Sequence, residues 1–294
     1  MKRRPFIKGE RHHWWPQSVS QNWTNADGYI IRVDSNGNQA PSTPARFARI
    51  SDGHNFNTGT PWDYTFEDLF DKVDDYFPHL VDWIRELVEL HKTSGAKPLE
   101  FQPQSVDDDK LILAINCVIS LVVRSPRFRE DVVNIAQDIR GPVEKIERKP
   151  LAAVNLQQTY QRLTKLLRPV GKIVVVWSAN REFNYGDGLY SNLSPYSQDL
   201  RNFRAAIPIT PTIAVVYTLP SQYIREPRVH TLEADHNLIE IINESVQIFS
   251  KECLFYRNIS PALGDFFRIG QYMQYSAGDP ILDFISQVPG IHAV

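Results

Sequence analysis

Lys172-Ile173-Val174-Val175-Val176-Trp177 is a continuous β-branched run bounded by Gly171 on one side. Such a run reads as a strand buried on both faces. Thr212-Ile213-Ala214-Val215-Val216-Tyr217 is a second strand of the same kind. Between them, 180–202 reads as a long loop with room for a hairpin, and loops of that length in a compact domain often carry function. Working outward, the pattern before Lys172 is helical. A helix is predicted to start near Thr65, where Thr65 and Asp68 have capping-box spacing. Phe66, Leu69, Phe70, Val73 and Phe77 form its apolar face, and Pro78 predicts a kink or restart. A second helix is predicted from about Ser105, with Asp107, Asp108 and Asp109 favoured in its first turn by the helix dipole. It runs to about Val123, where Arg124-Ser125-Pro126-Arg127-Phe128-Arg129 breaks it. Another helix follows to Arg140 and stops at Gly141-Pro142, and 151–167 reads as one more. After the second strand, a last long helix is predicted over 233–256. Near the N-terminus, 28–34 reads as a strand and Ser35-Asn36-Gly37-Asn38 as a hairpin turn. Residues 47–50 would be the return strand, its start blurred by Pro41 and Pro44.

These elements predict an α+β fold, mainly helical, with a small central, mostly antiparallel sheet and an N-terminal β-hairpin segment. Residues 1–294 are read as a single domain, with 1–60 an irregular segment packed on the rest. The hydrophobic fraction of 42% and charged fraction of 22% place the chain among globular proteins. A net charge of −2 gives no global nucleic-acid footprint, so any such contact must be local. Cys117 and Cys253 both fall in apolar runs read as helices, which points to a reducing compartment and excludes a Cys-rich zinc site. The basic start lacks the apolar core of a secretory signal, and the longest apolar run, 111–123, is too short to span a bilayer. A soluble cytoplasmic protein with no membrane partner is expected.

Arg11-His12-His13-Trp14-Trp15-Pro16-Gln17, with Trp23 close behind, is the densest chemistry in the chain. Polar groups wedged among large aromatics are desolvated and must find partners, so the segment reads as a built site or a structural lock. Imidazoles here suit a general base or a metal ligand. A structural hydrogen bond under Trp14 and Trp15 is the alternative. The His-His-x-x-Pro string is similar to the opening of His-metal nucleases, in which a histidine at a strand end activates water. Asp52-Gly53-His54-Asn55 offers the second histidine and asparagine of that pattern, although a helix carrying a further histidine is absent. The expected catalytic set is His13, His54 and Asp187, the last from the 180–202 loop. The expected ligands of a divalent metal, Mg or Mn, are His12, His13 and Asp52.

Lys2, Arg3, Arg4, Lys8 and Arg11 could track a phosphate backbone, as could the forks of Arg124 and Arg127. A solvated tail is the alternative for the first group. Helix capping, or ion pairs with Glu130 or Asp131, is the alternative for the arginines, Arg129 included. Trp14, Trp15 and Trp23 could stack bases or simply bury area. His230, Asp235 and His236 read as capping at the entry of the last helix, with a distal contribution to a metal site as the alternative. No Gly-x-Ser-x-Gly elbow, P-loop, Gly-x-Gly-x-x-Gly or His-Glu-x-x-His is present. This argues against the usual serine hydrolases, P-loop nucleotide hydrolases, Rossmann dehydrogenases and thermolysin-like proteases.

Several motifs in order also resemble a large, mostly bacterial domain-of-unknown-function family with an N-terminal His-x-x-Pro-Gln-x-x-Leu signature. His13-Trp14-Trp15-Pro16-Gln17 carries the signature, with Val19 near its aliphatic position. Trp62-Asp63-Tyr64-Thr65-Phe66-Glu67, Arg124-Ser125-Pro126-Arg127-Phe128-Arg129, Ile207-Pro208-Ile209-Thr210-Pro211 and Ile242-Asn243 match later motifs. The resemblance implies a bacterial cytoplasmic setting and brings no settled reaction. Members carry Thr-Ser-Asp-Asn-Pro after the central strand. Here Trp177-Ser178-Ala179-Asn180-Arg181 has alanine at the Asp position, so a carboxylate would have to come from Glu182 or Asp187. Two functions follow as expectations. One is a metal-dependent nuclease-like phosphodiesterase, an effector in bacterial stress or phage defence. The other is a non-catalytic module that binds nucleic acid or a protein partner.

Overall fold

The computed structural model describes residues 11–56, 58, 63–167, 170–193, 202–219 and 226–291. The described chain opens with β1 (Arg11–His13), the single turn α1 (Gln17–Ser20) and a 3₁₀ turn over Gln21–Trp23. β2 (Ile30–Asp34) then returns at once as β3 (Gln39–Ser42). The Asp34 carboxylate accepts the N–H groups of Asn36 and Asn38, and Gly37 supplies a φ of +89°. The return strand is therefore 39–42 and not 47–50. Pro41 is tolerated because β3 is an edge strand. The 47–50 stretch instead leads into β4 (Arg49–Ser51), which pairs antiparallel with β1.

β5 (Asn55–Phe56) and β6 (Tyr64–Thr65) form a second short ribbon, and α2 (Asp68–Thr93) follows as one 26-residue helix. Pro78 sits inside α2 without dividing it, so the helix does not restart there. After β7 (Gln102–Gln104), α3 (Asp108–Arg124) starts three residues later than expected, because Asp107 is its cap and accepts the N–H groups of Asp109 and Lys110. α4 (Pro126–Arg140) is capped by Ser125, whose hydroxyl accepts the Phe128 N–H. α5 (Lys145–Leu167) completes the helical half.

β8 (Lys172–Trp177) is buried at every residue, as its composition requires. β9 (Tyr185–Gly186), β10 (Tyr190–Ser191), β11 (Arg204–Thr210), β12 (Ile213–Thr218) and β13 (Val229–Glu233) follow. The central sheet has the order β10-β11-β12-β8-β13-β7. Its only parallel pair among the described residues is β8 with β13. Trp177 and Thr231 on one face meet His91 of α2. His230 on the other face meets Phe101, which stacks on Phe284.

α6 (His236–Phe249) is shorter than the expected 233–256 helix. Ser250 turns extended, and β14 (Cys253–Tyr256) joins β2 and β9 in a four-stranded sheet, β3-β2-β14-β9. Cys253 is thus on a strand, whereas Cys117 is helical as expected, and both thiols are free and buried. α7 (Asp265–Arg268) and α8 (Pro280–Ser286, which carries Phe284) close the described chain. Among the described residues no single helix is long and apolar enough to cross a membrane. Only α3 and α4 taken together would pass by length and composition, and they are bent by 55° at Ser125.

Candidate metal centre

The β1–β4 pairing sets His12 opposite Ile50 and Arg11 opposite Ser51. Successive side chains on a strand face opposite ways. His12 is accordingly turned inward and buried, whereas His13 is half-buried and its Nε2 accepts from Arg49 Nε at 3.1 Å. Beyond Ser51 the chain turns sharply through Asp52, at φ +57°, and Gly53. A Cβ at Gly53 would lie 3.3 Å from the His12 Cβ, so the turn sits against that side chain. This delivers His54 beneath His12, their ring centroids 4.8 Å apart. The β5–β6 ribbon continues into a bond from the Phe66 N–H to the His54 carbonyl, and Glu67 comes next. One Glu67 oxygen lies 3.4 Å from His12 Nε2.

His12, His54 and Glu67 can each present a ligand atom, all within 4.8 Å of one another. Among the described residues neither ring nitrogen of His12 or of His54 has a hydrogen-bond partner, although both rings are almost wholly buried. Four imidazole nitrogens without a hydrogen bond in one place are costly, because buried polar groups are normally satisfied. Burial, and then the charges of Arg124 and Arg129, hold His54 far below its ordinary pKa, so the ring is neutral with a lone pair free. Donors around a tetrahedral ion such as zinc lie about 3.3 Å apart. Glu67, whose side chain is about half exposed, is the member able to close the set by rotation. Two imidazoles and a carboxylate suit zinc or manganese better than magnesium, which prefers oxygen ligands and water.

The expected sets are thereby redrawn. His13 and Asp52 do not join His12. His13 faces the other side of β1, and Asp52 points to Lys149 at 3.5 Å and to Asn55. Asp187 follows β9 and is buried, where it accepts the backbone N–H groups of Lys251, Glu252 and Cys253 and the Tyr272 hydroxyl. Desolvation pushes its carboxyl above the ordinary value, and its lone pairs are spent on holding the turn before β14. Glu67 was missed because its place before α2 reads as part of a helix start. Only the fold of the intervening ribbon brings it to His12.

The three arginines at the α3–α4 break separate in space. Arg124 is buried, pairs with Asp74 at 2.6 Å and donates to the His13 carbonyl. Arg127 pairs with Asp131 at 3.6 Å, donates to the Phe249 and Met273 carbonyls and covers the Phe249 ring. Both guanidiniums are thus committed to contacts within the protein. Two residues along a helix turn a side chain by about 200°. Arg129 therefore points away from Arg127 and donates to the Gly53 carbonyl at 2.8 Å. It lines a cleft of about 380 Å³ with Ser51, Asp52, Gly53, Arg148 and Lys149 among others. Trp14, Trp15 and Trp23 are buried in the core and offer no surface for stacking bases. His230 sits on β13, not at a helix entry, whereas Asp235 caps α6 as expected. Lys2, Arg3, Arg4, Lys8 and Trp62 lie outside the described residues, as does the 194–201 part of the long loop.

No family model, no curated protein and no solved structure matches the chain. The roles of these residues therefore rest on geometry alone.

Proposed function

We propose that this protein is a metal-dependent phosphodiester hydrolase of nuclease type, working in the cytoplasm, with His12, His54 and Glu67 as its metal ligands. The observation that carries this reading is the pair of buried, unpartnered imidazoles facing one carboxylate. A transition-metal dication bound there would supply Lewis-acid charge to a phosphoryl oxygen. The protein's own groups do the rest. Desolvation keeps His54 neutral and ready to ligate, and Glu67 opens one side of the cluster to solvent. The guanidiniums of Arg124 and Arg129 close by would oppose a bare dication. Asp74 neutralises Arg124, which leaves Arg129 to be matched by an anion beside the metal. A substrate with one phosphate group at the metal and another on Arg129 satisfies both charges, which favours phosphodiesters over amides or esters as substrate. Arg11, exposed and paired on the neighbouring strand with Ser51 of the cleft lining, adds a further cation where a polyanion would approach.

The test is calorimetric titration of metal-stripped protein with zinc and manganese, followed by cleavage assays on single-stranded DNA and RNA. Wild type should take up one ion per chain and cut. His54→Ala and Glu67→Gln should lose both properties while keeping native circular dichroism. Absence of metal uptake would sink the hydrolase reading. Metal uptake without cleavage of any substrate would favour the non-catalytic binding module.

A further inference from the structure

The cleft beside the candidate metal centre is lined by four cations, Arg129, Arg148, Lys149 and Lys251, against two carboxylates, Asp52 and Glu130. Lys251 is paired with Glu130 at 2.8 Å and Lys149 with Asp52 at 3.5 Å. Two cations are left over. Arg148 donates to the neutral Gln137 amide. Arg129 is only part-exposed, and its bonds go to the carbonyls of Gly53 and Arg124. Among the described residues it has no carboxylate within ion-pair distance. A guanidinium held without a counter-ion is costly, and desolvation together with Arg124 lowers its pKa to about 10. Its carbonyl bonds fix the planar fork in the lining of the cleft, and Nη1 with the remaining Nη2 hydrogen is left to meet an oxyanion.

We propose that this cleft binds a phosphomonoester dianion, the terminal phosphate of a nucleotide or of a short nucleic-acid strand, through Arg129 with Arg148 and Lys149. A dianion matches the surplus of two positive charges, whereas an internal phosphodiester, with one charge, leaves one uncompensated. The volume, about 380 Å³, suits one small ligand and falls in the usual range for such pockets. Gly53 stands between the cleft and His12, so a phosphate on Arg129 places the next linkage of the strand toward the cluster. This substrate assignment rests on the hydrolase reading for its meaning, but the binding step needs no metal.

The experiment uses the full chain stripped of metal by chelator. Binding of a 5′-phosphorylated dinucleotide, its hydroxyl-terminated counterpart and inorganic phosphate is measured at low salt. The phosphorylated form should bind about tenfold tighter or better than the hydroxyl form, as a charge-assisted bidentate contact implies. Competition by inorganic phosphate would support the site and show that the phosphate alone is read. Competition by the dinucleotide only would support it and show that the nucleoside is read too. Arg129→Met should abolish the preference and Arg129→Lys should weaken it. Should Arg129→Met fail to fold, the exposed pair R148M and K149M should also reduce the preference. Equal affinity for the two dinucleotides, or a preference that survives these variants, would overturn the proposal. Metal uptake and cleavage without a terminal-phosphate preference removes this inference alone, and the preference without metal uptake removes the hydrolase alone.

Discussion

Arg124 ties the N-terminal segment to the helical half of the molecule. Its guanidinium bonds Asp74 on α2, Ser120 on its own helix and the carbonyl of His13 on β1, and it lies over the Phe70 ring. Its side chain is 1% exposed, whereas that of Asp74 is 41% exposed. The two partners are therefore not equivalent. Removing Asp74 strands a charge that cannot reach water, and breaking such a pair costs on the order of 3 kcal/mol. Asp74→Ala should lower the denaturation free energy by about that amount, more than Asp75→Ala on the same helix. Equal effects in urea titrations would show that Arg124 is satisfied by Ser120 and His13 alone. The same residues show how far the site could be read from the sequence. His12 and His54 stand out because two histidine-bearing motifs flank a predicted turn. Their pairing with each other, rather than through His13, follows from strand alternation, which needs the exact extent of β1. Asp187 was a reasonable carboxylate by position in a long loop, but its surroundings spend it on backbone N–H groups.

The short strand β1 and the turn that follows it form an aromatic lock. Trp15 stacks on Tyr185 at 4.6 Å, Trp23 lies 4.3 Å from the same ring, and the Trp23 indole donates to the Ile209 carbonyl of β11. Trp14 meets Phe47 and Phe255. The lock thus joins both sheets and holds β1, and with it His12, in register. Trp15→Ala should cost about 3–5 kcal/mol, as truncation of a fully buried tryptophan does. If the site depends on the lock, metal affinity should fall in the variant even where it remains folded. A thermal melt within a degree or so of wild type would show instead that the segment is undocked. The strands that were easy to read, β8 and β12, are apolar at nearly every position. β13 was hidden because Val229-His230-Thr231-Leu232-Glu233 mixes polar groups into a buried strand. Those groups are accommodated only in the folded protein, where His91 Nδ1 bonds the Thr231 hydroxyl at 2.8 Å. β3 was hidden by Pro41, which is acceptable because nothing among the described residues pairs with its far edge.

Several histidines are buried neutral on different elements, and together they set how the whole molecule responds to acid. Burial holds His54 on the β4–β5 turn, His91 on α2 and His230 on β13 below the ordinary imidazole pKa, that of His230 at about 4. His13 is shifted the same way, by burial first and then by Arg49. In the unfolded chain each would titrate near 6.5. Between pH 6.5 and 4 the unfolded state therefore binds protons that the native state does not. Stability is fully present above about pH 6.5 and is lost as pH falls through that window. His54 and His230 are shifted furthest, and two such groups give a slope of roughly 2 kcal/mol per pH unit in the middle of the window. Asp187 works in the opposite sense, since its carboxyl is raised and its protonation favours the native state, but this acts only toward the acid end. Denaturant titrations at pH 7, 6 and 5 should show a falling midpoint. His230→Gln, which cannot titrate, should flatten the dependence without abolishing it, because His54 remains. Zinc or manganese should stabilise the wild type at pH 7, because the neutral His54 ring offers its lone pair there. A midpoint unchanged from pH 7 to 5 would mean that these rings take up protons in the native state as readily as in the unfolded chain, and the neutral His54 assigned to the metal would go with them.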